Sequence, residues 1–224
     1  MLDFDLEART GQDRLSLQPA ALIVAGWTGR DEAALRHHIE ELAAIGVPRP
    51  SSVPVFYRNS VLNLTQSATL EVLGPDTSGE VEPVVVAHGG RLYLTIGSDH
   101  TDRKAETMGI ALSKQLCAKP VGRTLWPLEE VEGHWDQLRL RSFATIDGER
   151  VTYQDGTLAG MRHPSDLIGR YGQALAEATV MFCGTLGAIG GIRPASRFEM
   201  ELEDPVRSRT LRHAYDIRVL SVVS

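Results

Sequence analysis

The sequence predicts a β-rich α+β domain, and three observations carry that expectation. Short stretches such as LDFDLEA (2–8) and FEMELED (198–204) alternate apolar and polar residues, which is the period of a strand with one buried face. Two-residue turns at Gly89-Gly90 and Asp147-Gly148 join pairs of such stretches, as in β-hairpins. Only two stretches, 31–45 and 164–178, space their apolar residues as helices do. The 224 residues suffice for one domain, 1–224, with a real core. Within it we expect N-terminal strands and a helix over 1–50, and a β core over 51–224.

Residues 2–8 open as a strand. LSLQPAALIVAG continues in kind after a turn expected at Gly11-Gln12-Asp13, and GWTGRD breaks the pattern. In the helix that follows, Asp31 and Glu32 suit the positive end of the helix dipole, and Gly46 and Pro48 end it. Leu35, Ile39 and Leu42 form its buried stripe. His38 and Glu41 border that stripe, whereas His37 and Glu40 fall on the far side. Two short strands are expected between 53 and 73, then a turn at Leu73-Gly74-Pro75-Asp76. EVEPVVV and RLYLTIG form the hairpin around Gly89-Gly90, and QLCAKPVGRTLWP looks loop-rich. A second hairpin turns at Asp147-Gly148. Pro164 suits the first turn of the helix over 164–178, with Leu167, Ile168, Tyr171 and Leu175 inward. LRHAYDIRVLSVV is expected as a last strand pair or a long edge strand. The strands before residue 25 have no assigned place.

Composition narrows the function. Hydrophobic residues make up 42% and charged residues 23%, and the net charge is −6. No Lys/Arg cluster stands out, so a nucleic acid or an anionic membrane is not an expected partner. No apolar run is long enough to span a bilayer, and MLDFDLEAR is acidic from its third residue, unlike a targeting peptide. Cys117 and Cys183 are too few for a disulfide framework, and the cytoplasm is the expected compartment.

Two constellations carry chemistry. Glu80 and Glu82 lie two apart in a strand-like run and so share a face, and Asp99 falls just past the next strand, opposite in parity to Leu92, Leu94 and Ile96. Such a pattern fits either a solvated outer face or an all-oxygen site for a hard cation such as Mg²⁺, Mn²⁺ or Ca²⁺. His100 sits beside Asp99, but alternation aims it elsewhere, so it is not expected as a ligand. The second constellation is RHHIEEL. His38 and Glu41, three apart on a helix, are within hydrogen-bonding reach, which fits a catalytic pair or a surface helix with spare charges. The Gly-rich GTLGAIGG lacks the Lys-Ser/Thr ending of a phosphate loop.

GEVEP, TIGSDHTDR and SK resemble the fumarylacetoacetate hydrolase superfamily. In that superfamily an E-x-E on one strand and the first Asp of a G-[ND]-D-x-[TS]-x-R-like segment hold a metal, and a Lys follows. Glu80, Glu82, Asp99, Arg103 and Lys114 match those positions, with Lys104 where an acidic residue is frequent. His38 and Glu41 match an H-x-x-E pair carried on a lid helix. Before them, Gly26-Trp27-Thr28-Gly29 stands for G-x-N-Y, and after them Tyr57-Arg58 replaces a Phe-x-Lys pattern. Pro120-Val121-Gly122, then Gln154 to Thr157 with Met161, then Gly184-Thr185-Leu186-Gly187 follow in the family's order, with Leu186 where Pro is usual. The resemblance spans 26–220.

That resemblance implies a mixed-sheet roll of the fumarylacetoacetase C-terminal type with a few peripheral helices. It implies a homodimer and a metal-dependent enzyme acting on a small 2-oxo acid. Glu80, Glu82 and Asp99 would hold Mg²⁺, Mn²⁺ or Ca²⁺. His38, Glu41 and Lys114 would be catalytic, and Arg103, Gln154, Gly184 and Thr185 would bind substrate. The expected reaction is hydrolysis of a C–C bond next to a carbonyl, as in acylpyruvates. The same chemistry serves decarboxylases and dehydratases, and a small-acid binding protein is a third reading. A redox or nucleotide-binding domain is not expected, since no strand-linked G-x-G-x-x-G is present.

Overall fold

The computed structural model describes residues 1–44 and 49–223, except the side chains of His38, Glu41 and Leu42. The chain opens with strands β1 (Leu2–Ala8), β2 (Gly11–Leu17) and β3 (Ala21–Gly26), then helix α1 (Glu32–Ala44). Next come β4 (Val55–Asn59), the two-residue β5 (Leu64–Thr65), β6 (Thr69–Leu73), β7 (Thr77–Ser78), β8 (Val81–His88), β9 (Arg91–Ser98) and β10 (Thr101–Asp102). Short helices α2 (Arg103–Glu106) and α3 (Ile110–Leu116) lead to β11 (Lys119–Pro120) and β12 (Thr124–Pro127). The hairpin β13 (Arg139–Ile146) and β14 (Glu149–Thr157) precedes α4 (Pro164–Tyr171), and β15 (Thr179–Phe182), β16 (Arg197–Asp204) and β17 (Arg209–Leu220) finish the fold.

Two mixed sheets dominate. The larger has eight strands in the order β2-β1-β12-β9-β8-β15-β3-β4, and the smaller five in the order β14-β13-β16-β17-β6. Alternation sorts their faces. Val81, Leu94 and Ile96 of the large sheet pack with Leu140, Phe198, Met200, Leu202 and Tyr215 of the small one. The opposite parity, with Val84, Val86, Tyr93, Leu22, Val24 and Phe182, forms a separate core with Leu2 and Phe4. Ile23, Val85 and Met181 pack under Leu167 of α4. These faces place the strand ends carrying Glu82 and Asp99 beside the loop after β15.

Several expectations shift. The first turn closes at Arg9-Thr10, because Ala8 pairs with Gly11 and Gly11 already opens β2. Glu80 lies one residue before β8, although its carbonyl still accepts from the Asp99 amide at 2.9 Å. The loop-rich stretch after Lys114 holds the end of α3 and two strands. Helix α4 stops at Tyr171 instead of continuing to 178, since Gly172 takes φ +85° and its amide caps the Gly169 carbonyl. Leu175 nonetheless packs on the α4 core. The last strand is neither a pair nor an edge: β17 runs for 12 residues between β16 and β6. The unplaced N-terminal strands join the large sheet, β1 beside β12 and β3 beside β15. Asp31 caps α1 by accepting from the Ala33 and Ala34 amides. The expected helix end at Gly46 and Pro48 lies outside the described residues. Among the described residues, no helix is long and apolar enough to cross a membrane.

Gly172 needs its left-handed backbone, so Gly172→Ala should cost about 1–2 kcal/mol. That predicts a Tm lower by roughly 2–8 °C. Gly133→Ala, whose added Cβ meets nothing within 4 Å and whose φ is not left-handed, should leave Tm unchanged. Equal effects in a thermal scan would refute the capping assignment.

Candidate metal centre

The site forms where β8, β9 and the segment after β15 meet. Glu82 pairs across the hairpin with Gly97. A Cβ at Gly97 would come within 2.9 Å of Phe182 and Val84, so this face accepts only glycine opposite Glu82. Asp99 follows two residues later with the same parity. One carboxylate oxygen from each of Glu80, Glu82 and Asp99 lies within 4.8 Å of the others. One cation with oxygen bonds of about 2.0–2.6 Å spans that separation, and an all-carboxylate donor set suits a hard divalent ion. The residues therefore fit Mg²⁺, Mn²⁺ or Ca²⁺.

Each carboxylate already has a cation or an amide as neighbour. Short strands β7 and β10 pair Thr77 with Asp102 and Ser78 with Thr101, which carries Arg103 to the site. Arg103 donates to Ser78 Oγ at 2.7 Å and bridges Glu80 at 2.9 Å and Glu106 at 3.0 Å. Burial lowers the Arg103 pKa, but Glu80 and Glu106 outweigh it and hold it above the usual value. Helix α3 presents Lys114, whose ammonium bonds Asp99 Oδ2. It also lies 5.8 Å from the Tyr57 ring centre. Burial disfavours its charge, yet Asp99, Glu80 and Glu82 keep it protonated with a raised pKa. Burial raises the Asp99 pKa, but Lys114 and Lys119 reverse that and hold it below the usual carboxylate range.

Lys119 escaped the sequence reading. It is fully buried, lies 3.1 Å from Asp99 Oδ1 and donates to the His100 carbonyl at 2.5 Å. The pairing of β11 with β5, Lys119 opposite Leu64, carries it there. Burial pulls its pKa down in spite of Asp99. The available signal was a lone charge inside LCAKPVG, since a charge in such a run needs a buried partner. His100 bonds Tyr215 Oη and Thr77 Oγ1, each at 2.9 Å, and burial with Lys119 and Arg103 pushes its pKa down to about 3. It stands behind the carboxylates as a neutral brace.

Glu82 lacks a matched cation. Gly184 donates its amide to Glu82 Oε2 at 2.7 Å. Gly184 has φ +101°, and a Cβ there would fall 1.7 Å from Thr28 Oγ1, so no other residue can present that amide. Burial first, then Asp99, push the Glu82 pKa well up. Thr185 donates to the Val81 carbonyl at 2.8 Å. Gln154 accepts from the Val81 amide and Ser142 Oγ, and donates to Thr185 Oγ1 and the Leu186 carbonyl. Its amide group has no hydrogen-bonding capacity left. Gln154, expected to contact substrate, lines the cavity and supports the 184–186 segment.

A cavity of about 730 Å³ opens over these groups, lined by Glu80, Glu82, Arg103 and Lys114 among others. Its rim includes Gly26–Gly29, with Trp27 at φ +58°. α1 follows directly and is anchored by Glu32, which accepts from Arg162 at 3.0 Å. As expected, His37 and Glu40 are exposed and Ile39 is buried, whereas Leu35, expected in the buried stripe, is half-buried. The His38 and Glu41 side chains lie outside the described residues.

Saturating Mg²⁺ or Mn²⁺, at about 100-fold over Kd, should raise Tm by roughly 5–10 °C. Glu82→Gln keeps the shape but should abolish that shift, whereas His100→Ala should retain it. An unchanged shift in Glu82→Gln would place the ligands elsewhere. Glu82 has a raised pKa, so its contribution to ion-free stability is present below the ordinary Glu value and lost as pH rises through the raised one. The ion displaces that proton, so affinity should climb with pH and binding should release a proton. Titration calorimetry in buffers of different ionisation enthalpy reads this directly.

A family model described as "Protein of unknown function (DUF2848)" matches residues 25–215. No curated protein matches the chain in sequence. Solved structures do match in fold. A candidate fumarylacetoacetate isomerase/hydrolase from Oleispira antarctica gives a TM-score of 0.68 at 15% identity, covering 97% of this chain and 100% of that one. A candidate fumarylpyruvate hydrolase from Burkholderia cenocepacia gives 0.60 at 19% identity, with 98% and 96% covered. A 2-keto-3-deoxyarabinonate dehydratase gives 0.64 at 16% identity, with 90% and 75% covered. Matched by that family model over 25–215 and by these neighbours in fold, the chain belongs to the DUF2848 family and has the fold of the fumarylacetoacetate hydrolase proteins.

Proposed function

We propose that the chain is a divalent-metal-dependent hydrolase that cleaves the C–C bond next to a carbonyl in a small, acylpyruvate-like 2-oxo acid. The observation that carries this reading is the convergence of Glu80, Glu82 and Asp99 beside Lys114, with both glutamates and the lysine lining one cavity. The names of the neighbours, hydrolases and a dehydratase among them, support the same chemical class.

Glu80, Glu82 and Asp99 would hold the ion, which supplies Lewis-acid stabilisation of the negative charge that develops on the 2-oxo acid. Arg103 fixes Glu80, and the Gly184 amide fixes Glu82. Lys114, kept protonated by its carboxylate neighbours, adds positive charge beside a developing oxyanion. His38, with Glu41 as the second member of the pair, would take a proton from water, and the water oxygen would bond to the acyl carbon. The acyl–methylene bond breaks with its electron pair on the pyruvate fragment, and a proton returns to that methylene. An acylpyruvate and water thus give a carboxylate, pyruvate and one proton.

With Mg²⁺ or Mn²⁺ and an acylpyruvate, product analysis should find the carboxylate and pyruvate. Lys114→Met should lower kcat on the order of 10²–10³-fold. His38→Ala should lower it on the order of 10²–10⁴-fold and keep the metal-induced Tm shift, and His37→Ala should change neither. Release of CO₂ or a dehydrated acid would instead assign a lyase, and tight binding without turnover a binding protein.

A further inference from the structure

The cavity has two chemically different parts, and the second bears on which acid it takes. Beyond the carboxylates, its wall includes Trp27, Tyr57, Ile110, Leu186, Ala188 and Ile192, with the neutral hydroxyls of Thr28 and Thr107 between them. Among the described lining residues, the cations are Arg103 and Lys114, and both are committed. Arg103 is held by Glu80, Glu106 and Ser78, and Lys114 by Asp99. Glu106 adds a negative charge to the wall. A second carboxylate on the ligand would therefore meet mostly apolar side chains, neutral hydroxyls and an anion, with neither described lining cation free to receive it. Moving a charge into such surroundings is strongly unfavourable.

Charge balance agrees. The lining carries three carboxylates, Glu80, Glu82 and Glu106, against two cations, Arg103 and Lys114. Behind them Asp99 and Lys119 cancel. A divalent ion brings the ionised set to a single positive charge, which one ligand carboxylate neutralises. The cavity volume of about 730 Å³ is in the range of pockets that enclose drug-sized molecules, larger than pyruvate alone requires.

We propose that this site selects a monocarboxylate 2-oxo acid whose acyl end is an uncharged apolar group, aryl or branched alkyl. The inference rests on the metal-centred reading above. The head binds at the carboxylates, and the tail lies along Tyr57, Ile110, Leu186 and Ile192. Acids with a charged tail are rejected by lack of a partner, and polyhydroxylated acids by loss of hydrogen bonds to water.

The test uses the full chain with Mg²⁺. Oxalate, a mimic of the head alone, should bind by calorimetry only with the metal present. Benzoylpyruvate should then exceed fumarylpyruvate in kcat/KM, or in affinity if neither turns over, on the order of 10²-fold. A 2-keto-3-deoxy sugar acid should rank with the disfavoured group. Ile192 is 53% exposed in a surface loop, so Ile192→Lys should fold, as its Tm will report. It places a cation on the wall and should narrow the gap by improving fumarylpyruvate, with oxalate affinity unchanged. Oxalate binding with equal tails, or a preference for the dianion or the sugar acid, overturns the inference alone. Absence of metal-dependent oxalate binding overturns the metal-centred reading and this inference with it.

Discussion

Burying Glu82 and Asp99 side by side is the constraint on which the rest of this structure depends. Both are nearly or fully withdrawn from water at the ends of adjacent strands. Ionised carboxylates so placed repel one another and lose hydration, so they need charge or hydrogen bonds from the surrounding chain, or a proton, to stay there. Removing one partner from a buried ion pair typically costs about 3–5 kcal/mol. Much of the local architecture delivers those partners. Helix α3 brings Lys114, the β5–β11 pairing brings Lys119, the β7–β10 pairing brings Arg103, and a glycine at +101° brings an amide. Elements of two to seven residues persist here because each seats one charged or polar group.

This arrangement also divides the labour between strands and loops. The strands fix the carboxylates to the two rigid ends of a hairpin, with a register that glycine at 97 alone permits. The loops that line the cavity, 26–29 and 184–192, carry Trp27, Leu186, Ala188 and Ile192 of its wall, and Tyr57 of β4 and Ile110 of α3 complete it. Variation at Trp27, Leu186, Ala188 and Ile192 can alter what is accommodated while Gly184 and the strands keep the carboxylates in place, which is how one scaffold can serve several ligands.

Much of the fold was legible from residue patterns. The hairpins at Gly89-Gly90 and Asp147-Gly148 occur where expected, with left-handed backbone at Gly89, Gly90, Asp147 and Gly148. The alternation of Phe198, Met200 and Leu202 with Glu199, Glu201 and Glu203 marks the two faces of β16. Glu80 and Glu82, two residues apart, come together with Asp99 from beyond the next strand. What stayed hidden depends on distant partners. β17 reads as an edge because the strand that covers it, β6, comes much earlier in the chain. Lys119 looks like an ordinary loop charge because its burial and its partner are properties of the assembled sheet. Gln154 matches a recognition position, yet its four bonds all go to the protein, and only coordinates can count them.

Gln154 has a wider consequence. It rises from β14 in the small sheet and accepts from the amide that opens β8 in the large one, while gripping the Thr185–Leu186 segment. The position of that cavity wall is thereby indexed to how the two sheets sit on one another. Sliding one sheet over the other, even without loss of packing, would carry the wall with it. The apolar layer between the sheets is then subject to two requirements: it must fill space, and it must keep a lateral alignment. Residues such as Leu140 and Met200, remote from any reacting atom, are constrained by the second requirement as much as by the first.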